Sequence, residues 1–403
     1  MWQQRAPSTP AFLCVVDPGT TALRLLVVEA AAAGRATVWG WAEARGFGTA
    51  HPPAADLAEA CGKALALAEE MAQDLTGRWI VPDRLFVGLP TAEIVGRAWP
   101  MGQKRSRPDR PVEERELEAL LARGLRLAIN RLQSLAGGED PWLLVDAAPV
   151  ALTVDGRGVT DPVGFACREM GTTIFAALAP AGVIGNWRLV AETLEFTELT
   201  LVAAPLALAA APPASRGLLV DVGGVDTGLI HFRTGRPAAV ASLPTGGADI
   251  TRSLLRKWRI TIDAAERLKH SYLGTSLDPQ ARAEIQEALL PAVAAWLQEI
   301  EKALARLNED EALPCDIYLT GGGSLLPEIA ESLCALAWSR RLHFERYPQV
   351  RTLRPTDVPG MVNRTELGRT PGSVAALSLA AWAARRQHPL DRPARLLAQL
   401  GQI

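Results

Sequence analysis

Three short segments set glycine beside acid or hydroxyl residues, and each closes an apolar stretch. The first is Asp17-Pro18-Gly19-Thr20-Thr21. Glycine lets a ligand approach the backbone and turns N–H groups outward, threonine adds hydroxyl donors, and an aspartate at a strand end can hold Mg2+ through water. Such a loop cradles the β- and γ-phosphates of a nucleotide. Asp-Pro-Gly is also a favoured turn by itself, so this segment alone leaves both readings open. The second, Asp221-Val222-Gly223-Gly224-Val225-Asp226-Thr227, repeats the logic and is less readily a bare turn. Two Asp-x-Gly loops point to one phosphate chain gripped from both sides. The third is Thr320-Gly321-Gly322-Gly323-Ser324. Consecutive glycines after a buried strand leave room for a flat group against bare backbone, with a helix N-terminus nearby. A loose loop is the alternative there.

The elements that must position these loops follow from periodicity. Residues 11–28 read as strand, tight turn and strand, a helix spans 55–75, and a short strand spans 84–89. The same syntax returns near 217–232, where Asp221 stands at the first bend. Two copies of one unit at a wide interval predict a duplicated fold whose halves face each other. Between them, 101–110 reads as a basic, proline-containing loop. A helix follows over 112–132 with a leucine stripe, then strands near 142–146, 150–154 and 172–178. This reads as a subdomain inserted in the first half. Helices near 250–255, 264–272 and 279–307 precede a buried strand at 315–319, a helix from about 326 and an alanine-rich helix over 372–384.

Composition bounds the partners. The 403 residues are 48% hydrophobic, with 42 Lys plus Arg against 44 acids. A formal net charge of −2 argues against a broad nucleic-acid surface, so no nucleic-acid partner is expected. Five scattered cysteines form no CxxC pair, which argues against a disulfide framework or zinc ribbon and fits a reducing compartment. Pro7 and Pro10 precede any apolar run, unlike a signal peptide, and no apolar stretch reaches about 18 residues.

The three loops, in this order, resemble the phosphate-1, phosphate-2 and adenosine motifs of the actin-like ATPase superfamily. Within it the chain is most similar to the bacterial cell-division FtsA family. Val154-Asp155-Gly156 with Asp161-Pro162-Val163-Gly164, the segment Pro244 to Thr251, Ala265-Glu266-Arg267-Leu268-Lys269, and Thr320 to Pro327 carry the likeness. It implies an α/β, duplicated actin-like (ribonuclease H-like) two-lobe fold with an inserted α+β subdomain in the first lobe. The implied division is 11–97 with 181–213 as lobe one, 98–180 as the insertion, 214–250 with 314–385 as lobe two, 251–313 as a helical subdomain and 386–403 as a tail.

The resemblance also implies roles. ATP and Mg2+ are the expected cofactors. Gly19, Thr20 and Thr21 would meet the phosphates from lobe one, and Gly223, Gly224 and Thr227 from lobe two. Asp17 and Asp221 would hold the metal through water. Glu266 and Lys269 would meet ribose and adenine, Gly321, Gly322 and Gly323 would lie against the adenosine, and Gly247 and Ser324 complete the expected nucleotide-binding set. Glu266 and Lys269, at i and i+3, share a helix face, which also suits a plain surface ion pair. Departures point to slow or absent hydrolysis. Pro18 removes a backbone donor, Asp226 brings negative charge toward a polyphosphate, and Ala203-Ala204-Pro205 lacks a group that orients water.

In the tail, Leu396, Leu397, Leu400 and Ile403 fall on one helical face behind Arg392 and Arg395. FtsA-like chains usually finish in a membrane-binding amphipathic helix, and this segment resembles a short, weak version; a tail packed on lobe two is the other reading. The expected function is an ATP-binding protein of cell division at the inner face of the membrane. It would polymerise with itself and link the tubulin-like division protein FtsZ to an anionic membrane surface. A pilus-assembly adaptor of PilM type is the alternative, and a small-molecule kinase a weaker one.

Overall fold

Residues 11–31, 34–45, 52–138, 140–274, 277–307, 312–387 and 391–401 are described in the computed structural model. The chain begins with β1 (Ala11–Pro18), β2 (Ala22–Ala31) and β3 (Arg35–Arg45), then α1 (Ala54–Thr76) and β4 (Arg84–Leu89). The next five elements are β5 (Val95–Lys104), α2 (Glu114–Leu135), β6 (Trp142–Val154), β7 (Arg157–Val159) and β8 (Glu169–Pro180). Then follow α3 (Ala181–Thr193), β9 (Glu198–Ala203) and α4 (Ala204–Leu208). The second half runs through β10 (Arg216–Val222), β11 (Thr227–Arg233), β12 (Arg236–Leu243), α5 (Gly247–Trp258), α6 (Ile262–Leu273) and α7 (Pro279–Leu307). It continues with β13 (Asp316–Thr320), α8 (Pro327–Cys334), α9 (Leu336–Ser339), β14 (Gln349–Thr352) and β15 (Met361–Asn363). The last elements are α10 (Val374–Arg386) and α11 (Arg392–Leu400).

Duplication is explicit in the strand order. One sheet runs β15-β3-β2-β1-β4-β9, and the other contains β14-β13-β10-β11-β12. In each, the first strand pairs antiparallel with the second and parallel with the fourth. The first strands are continuous apolar runs because both faces are covered: Leu13 to Val16 and Leu218 to Val220 are all but inaccessible. Alanine-rich α10 is buried over nearly its whole length. It shares one core with Leu13 and Val15 of the first sheet and with Leu219, Ile230 and Phe232 of the second. Small side chains let a helix pass between two sheets, so this segment belongs to both halves and not to lobe two alone.

The insertion follows the chain order of the first lobe yet extends the second sheet. Strand β5 pairs with β12 at Ala239–Arg97, and β8, β6 and β7 continue outward. The expected loop over 101–110 is in its first part strand, with Met101 to Lys104 paired antiparallel to Thr172 to Glu169 of β8. Buried Arg105 ends it, reaching Glu116 at 2.7 Å and the carbonyl of Arg110 at 2.8 Å, which pins the start of α2. The two strands expected near 142–146 and 150–154 are one long strand with register shifts at Leu144/Asp146 and Pro149/Ala151. At that first irregularity Asp146 turns inward. Burial pushes its carboxyl up to about 6 against the pull of Arg386, which it meets at 3.3 Å.

The tail corrects its expectation. Helix α11 packs on α2 and β6, with Leu396 and Leu397 buried and Leu400 against the same cluster. Arg392 pairs with Asp161 at 2.8 Å and Glu114 at 3.4 Å, and Arg395 pairs with Glu114 at 3.2 Å. The leucine face and both arginines are therefore committed to the insertion, neither offered to a lipid surface nor packed on lobe two; Ile403 lies outside the described residues. Among the described residues no helix is long and apolar enough to cross a membrane. Truncating Leu397 to Ala should cost the docked helix about 2–4 kcal/mol. Amide exchange over 392–400 should then speed up accordingly, and unchanged exchange would contradict the docking.

Candidate functional site

Asp17 ends β1 directly across the hairpin from Arg24 on β2. The Arg24 guanidinium reaches Asp17 at 3.4 Å and Glu43 at 3.3 Å, which places a cation under the first loop. Arg24 escapes sequence reasoning because its neighbour lies seven residues away; only the hairpin register pairs them. Beyond Asp17 the chain turns tightly, with the Gly19 N–H donating to the Asp17 carbonyl at 3.0 Å.

The second loop meets the first. The Val225 N–H donates to Thr20 Oγ1 at 3.2 Å. A Cβ on Gly224 would stand 2.2 Å from Thr21 Cγ2 and 2.8 Å from Thr20 Oγ1. Glycine at 224 is thus what lets loops from two lobes touch. On its other side the second loop is tied to α5: Gly247 and Ala248 N–H groups donate to the carbonyls of Gly223 and Gly224 at 2.9 and 2.7 Å. These helix-terminal donors are spent on the loop and hold its backbone in place.

Thr227 is a correction. It is fully buried, donates to the Thr245 carbonyl at 2.7 Å and accepts from the Trp296 indole at 3.0 Å. Its hydroxyl faces α7, away from the cleft, because strand alternation turns it inward at the start of β11. Ser324 is also buried and donates to Gly321 O at 2.7 Å, closing the glycine turn from inside and not facing a ligand. Gly321 has φ +85°, and a Cβ there would press on Val222 O and Asp221 Oδ1 at 2.4 and 2.5 Å. Gly323 is equally crowded, by Val222 Cγ1 at 2.4 Å. Gly322 is the open one, since a Cβ there would meet nothing within 4 Å. Its bare backbone also lies beside Gly372, whose own Cβ would stand 3.4 Å from the Gly322 Cα.

Glu266 and Lys269 do share one face of α6. Lys269 Nζ lies 2.8 Å from Glu266 Oε2 and donates to Thr251 Oγ1 at 2.7 Å. Thr251 in turn donates to Gly247 O at 3.0 Å. The pair is therefore no loose surface contact: it is anchored to the first turn of α5, and Lys269 Nζ would stand 3.8 Å from a Cβ on Gly247.

Electrostatics gather in the cleft. Burial, then the charges of Asp17 and Asp226, push the Asp221 carboxyl up to about 7, while Arg24 pulls it down. Asp17 is likewise raised by burial and held back by Arg24. Glu93, on the turn after β4, is raised to about 7 by burial and by Asp226. That turn seats on the second lobe: a Cβ on Gly228 would stand 2.6 Å from Thr91 Oγ1. Glu93 carried no signal in the sequence, since its acidic neighbour is far along the chain. Among the described residues no group of three or more metal-ligating side chains exists. Asp17 and Asp221 can supply only part of a coordination shell, which suits Mg2+ completed by water and phosphate oxygens.

Comparison with known proteins fits this geometry. Residues 218–376 match the model of the family "Cell division protein FtsA". The chain is 25% identical to the cell division protein FtsA of Neisseria meningitidis serogroup B over 279 residues, which is 62% of this chain and 64% of that protein. It is 27% identical to the FtsA of Bacillus subtilis over 218 residues, 46% of this chain and 48% of that one. The chain thus spans less than two thirds of the length of either relative. Among solved structures, a PilM–PilN type IV pilus biogenesis complex superposes with a TM-score of 0.64 at 20% identity, covering 95% of this chain and 100% of that one. The chain is FtsA-like in sequence, and its fold is the actin-like ATPase fold.

The raised carboxyls give the unliganded protein a pH signature. A carboxyl whose folded pKa exceeds its unfolded value opposes folding as it ionises, so its contribution is full below the ordinary carboxylate range and lost as pH rises through about 7. The melting midpoint without nucleotide should fall between about pH 4 and pH 7 and level off above it. Asp221→Asn should remove much of that fall, and an unchanged profile would refute the assignment.

Proposed function

We propose that this chain is an ATP-binding actin-like protein of bacterial cell division, with a cleft that grips Mg2+–ATP and hydrolyses it slowly or not at all. The observation that carries the reading is the contact of two glycine loops from two lobes, Gly224 seated on Thr20 and Thr21, each loop opening from a buried aspartate, Asp17 or Asp221. Gly19, Thr20 and Thr21 meet the phosphates from one side, and Gly223 and Gly224 from the other. Arg24 supplies a guanidinium to the phosphate chain, where a charged donor is stronger than a neutral one. Asp17 and Asp221 hold the ion through water, and the ion in turn relieves their mutual repulsion. Gly322 offers bare backbone to the adenosine, and Lys269 with Glu266 meets its ribose and base edge.

Slow chemistry follows from α4, which opens with Ala204-Pro205 and offers no side chain to orient water. Attachment to the tubulin-like protein FtsZ, and assembly of the chain with itself, belong to the cell-division reading. A second reading, a pilus-assembly adaptor, is favoured by one observation: the leucine face of α11 is docked on α2 and β6. Pull-down of FtsZ, against pull-down of inner-membrane pilus proteins, separates the two.

Two measurements test the site. Gly322→Val and Lys269→Ala should each weaken ATP binding at least about tenfold, the equivalent of 1.4 kcal/mol. Thr227→Val should instead lower the melting midpoint with little change in affinity. Equal affinity in all three variants would remove the cleft from consideration. Turnover should stay far below about 1 per second, the low end for ordinary enzymes; faster hydrolysis would contradict the reading of α4.

A further inference from the structure

The second sheet ends at β14. That strand pairs parallel with β13, from Asp316 opposite Gln349 to Leu319 opposite Thr352, and among the described residues no strand pairs with its other side. The flanking chain extends the same ladder. The Glu345 N–H donates to Leu313 O at 2.9 Å, that of Gln349 to Cys315 O at 2.7 Å and that of Leu353 to Leu319 O at 2.8 Å. In a parallel ladder alternate residues face the neighbouring strand, so the N–H and C=O groups of Val350 and Thr352 face outward. An unpaired edge of this kind is a template for another extended chain. Tyr347 stands at its start, fixed by a hydrogen bond from its hydroxyl to the Cys334 carbonyl and yet exposed.

Three exposed arginines, Arg346, Arg351 and Arg354, lie along this edge, and among the described residues none of them has an ion pair. The acids of this corner are mostly engaged. Glu345 is held by Arg216, and Asp357 accepts from the Arg354 N–H at 2.7 Å to cap the next turn. Asp316 is the remaining acid on the two paired segments. From 340 to 354 the chain places five arginines against one glutamate, although its net charge is −2. The fold does not call for them. The corresponding strand of the first sheet, β9, pairs parallel with β4 as β14 does with β13, and from Glu198 to Ala203 it carries no basic residue.

Arginine forks select carboxylates, and like charge turns away a like-charged strand. Two copies of β14 edge to edge would crowd six guanidiniums together, so the charge pattern disfavours self-pairing. A lipid headgroup would engage the arginines and leave the strand's outward groups unused. We propose that β14 is a docking edge for an acidic, extended segment of a partner protein. The segment adds as a further strand: its main chain bonds Val350 and Thr352, and its carboxylates meet Arg346, Arg351 and Arg354. Strand β13 stands between this edge and the Asp221 loop of β10, so the surface is separate from the nucleotide cleft.

The test is fluorescence anisotropy of the full chain with labelled peptides of about ten residues in about 0.15 M salt. The probe alternates glutamate and valine. One control carries lysine in place of glutamate, and another is the probe N-methylated along its backbone. The edge predicts saturable binding of the probe below about 100 μM and at least about tenfold weaker binding of both controls. Arg351→Glu should weaken the probe at least about threefold, and Arg346→Glu, Arg351→Glu and Arg354→Glu combined at least about tenfold, with the melting midpoint unchanged. No saturable binding, equal affinity for the lysine or N-methylated peptide, or an affinity that survives the combined variant overturns the proposal. Two further results overturn it by assigning the edge elsewhere. Self-association in sedimentation that is lost in Arg351→Glu, without peptide binding, assigns it to a second copy. Flotation with phosphatidylglycerol vesicles that is lost in Arg351→Glu, again without peptide binding, assigns it to lipid.

Discussion

Closure of this molecule depends on one steric fact: position 224 has no side chain. With a methyl group there, the loop from the second lobe would collide with Thr20 and Thr21 of the first, and the Val225–Thr20 hydrogen bond could not form. Everything that follows is arranged to deliver that glycine. The first turn of α5 holds the loop by its carbonyls, Thr227 is locked beneath it by Trp296, and Gly321 and Gly323 allow the third loop to press against Asp221 and Val222. The glycines of these loops are of two kinds. Gly224, Gly321 and Gly323 are there for contact between protein segments, and Gly322 is left open.

Closure has an electrostatic cost. It gathers Asp17, Asp221, Asp226 and Glu93 into a region with little water, and Arg24 is the cation that acts on both Asp17 and Asp221. Like charges in a poorly solvated site raise one another's pKa, and the unliganded cleft is strained accordingly. On the proposed nucleotide reading, a divalent cation with a polyphosphate would supply positive charge between the acids and negative charge beside Arg24.

The insertion is coupled to this cleft through the sheet it extends. Strand β5 leaves the first lobe's fourth strand and pairs with the second lobe's β12, so the chain crosses between lobes at Arg97 and Ala239. Helix α10 lies between the two sheets, and α11 straps its far end onto the insertion. The two sheets are therefore joined through β12, α10 and the Arg386–Asp146 pair.

Much of this was legible from residues alone. Strand-turn-strand patterns at 11–28 and 217–232, each with an aspartate at the bend, specify the duplicated halves, because period-two burial and glycine turns are local properties of a chain. The spacing of Glu266 and Lys269 specifies a shared helix face for the same reason. What the tertiary structure decided is nonlocal. Arg24 joins Asp17 only through hairpin register, and Glu93 joins Asp226 only when two lobes close. Thr227 and Ser324 read as ligands in the sequence because a hydroxyl beside glycine is ambiguous; packing against Trp296 and the Gly321 carbonyl resolves both as internal. The leucines of α11 likewise fit a lipid surface or a protein groove equally well by periodicity. Only the complementary face of α2 and β6, with Glu114 and Asp161 set to receive two arginines, selects between them.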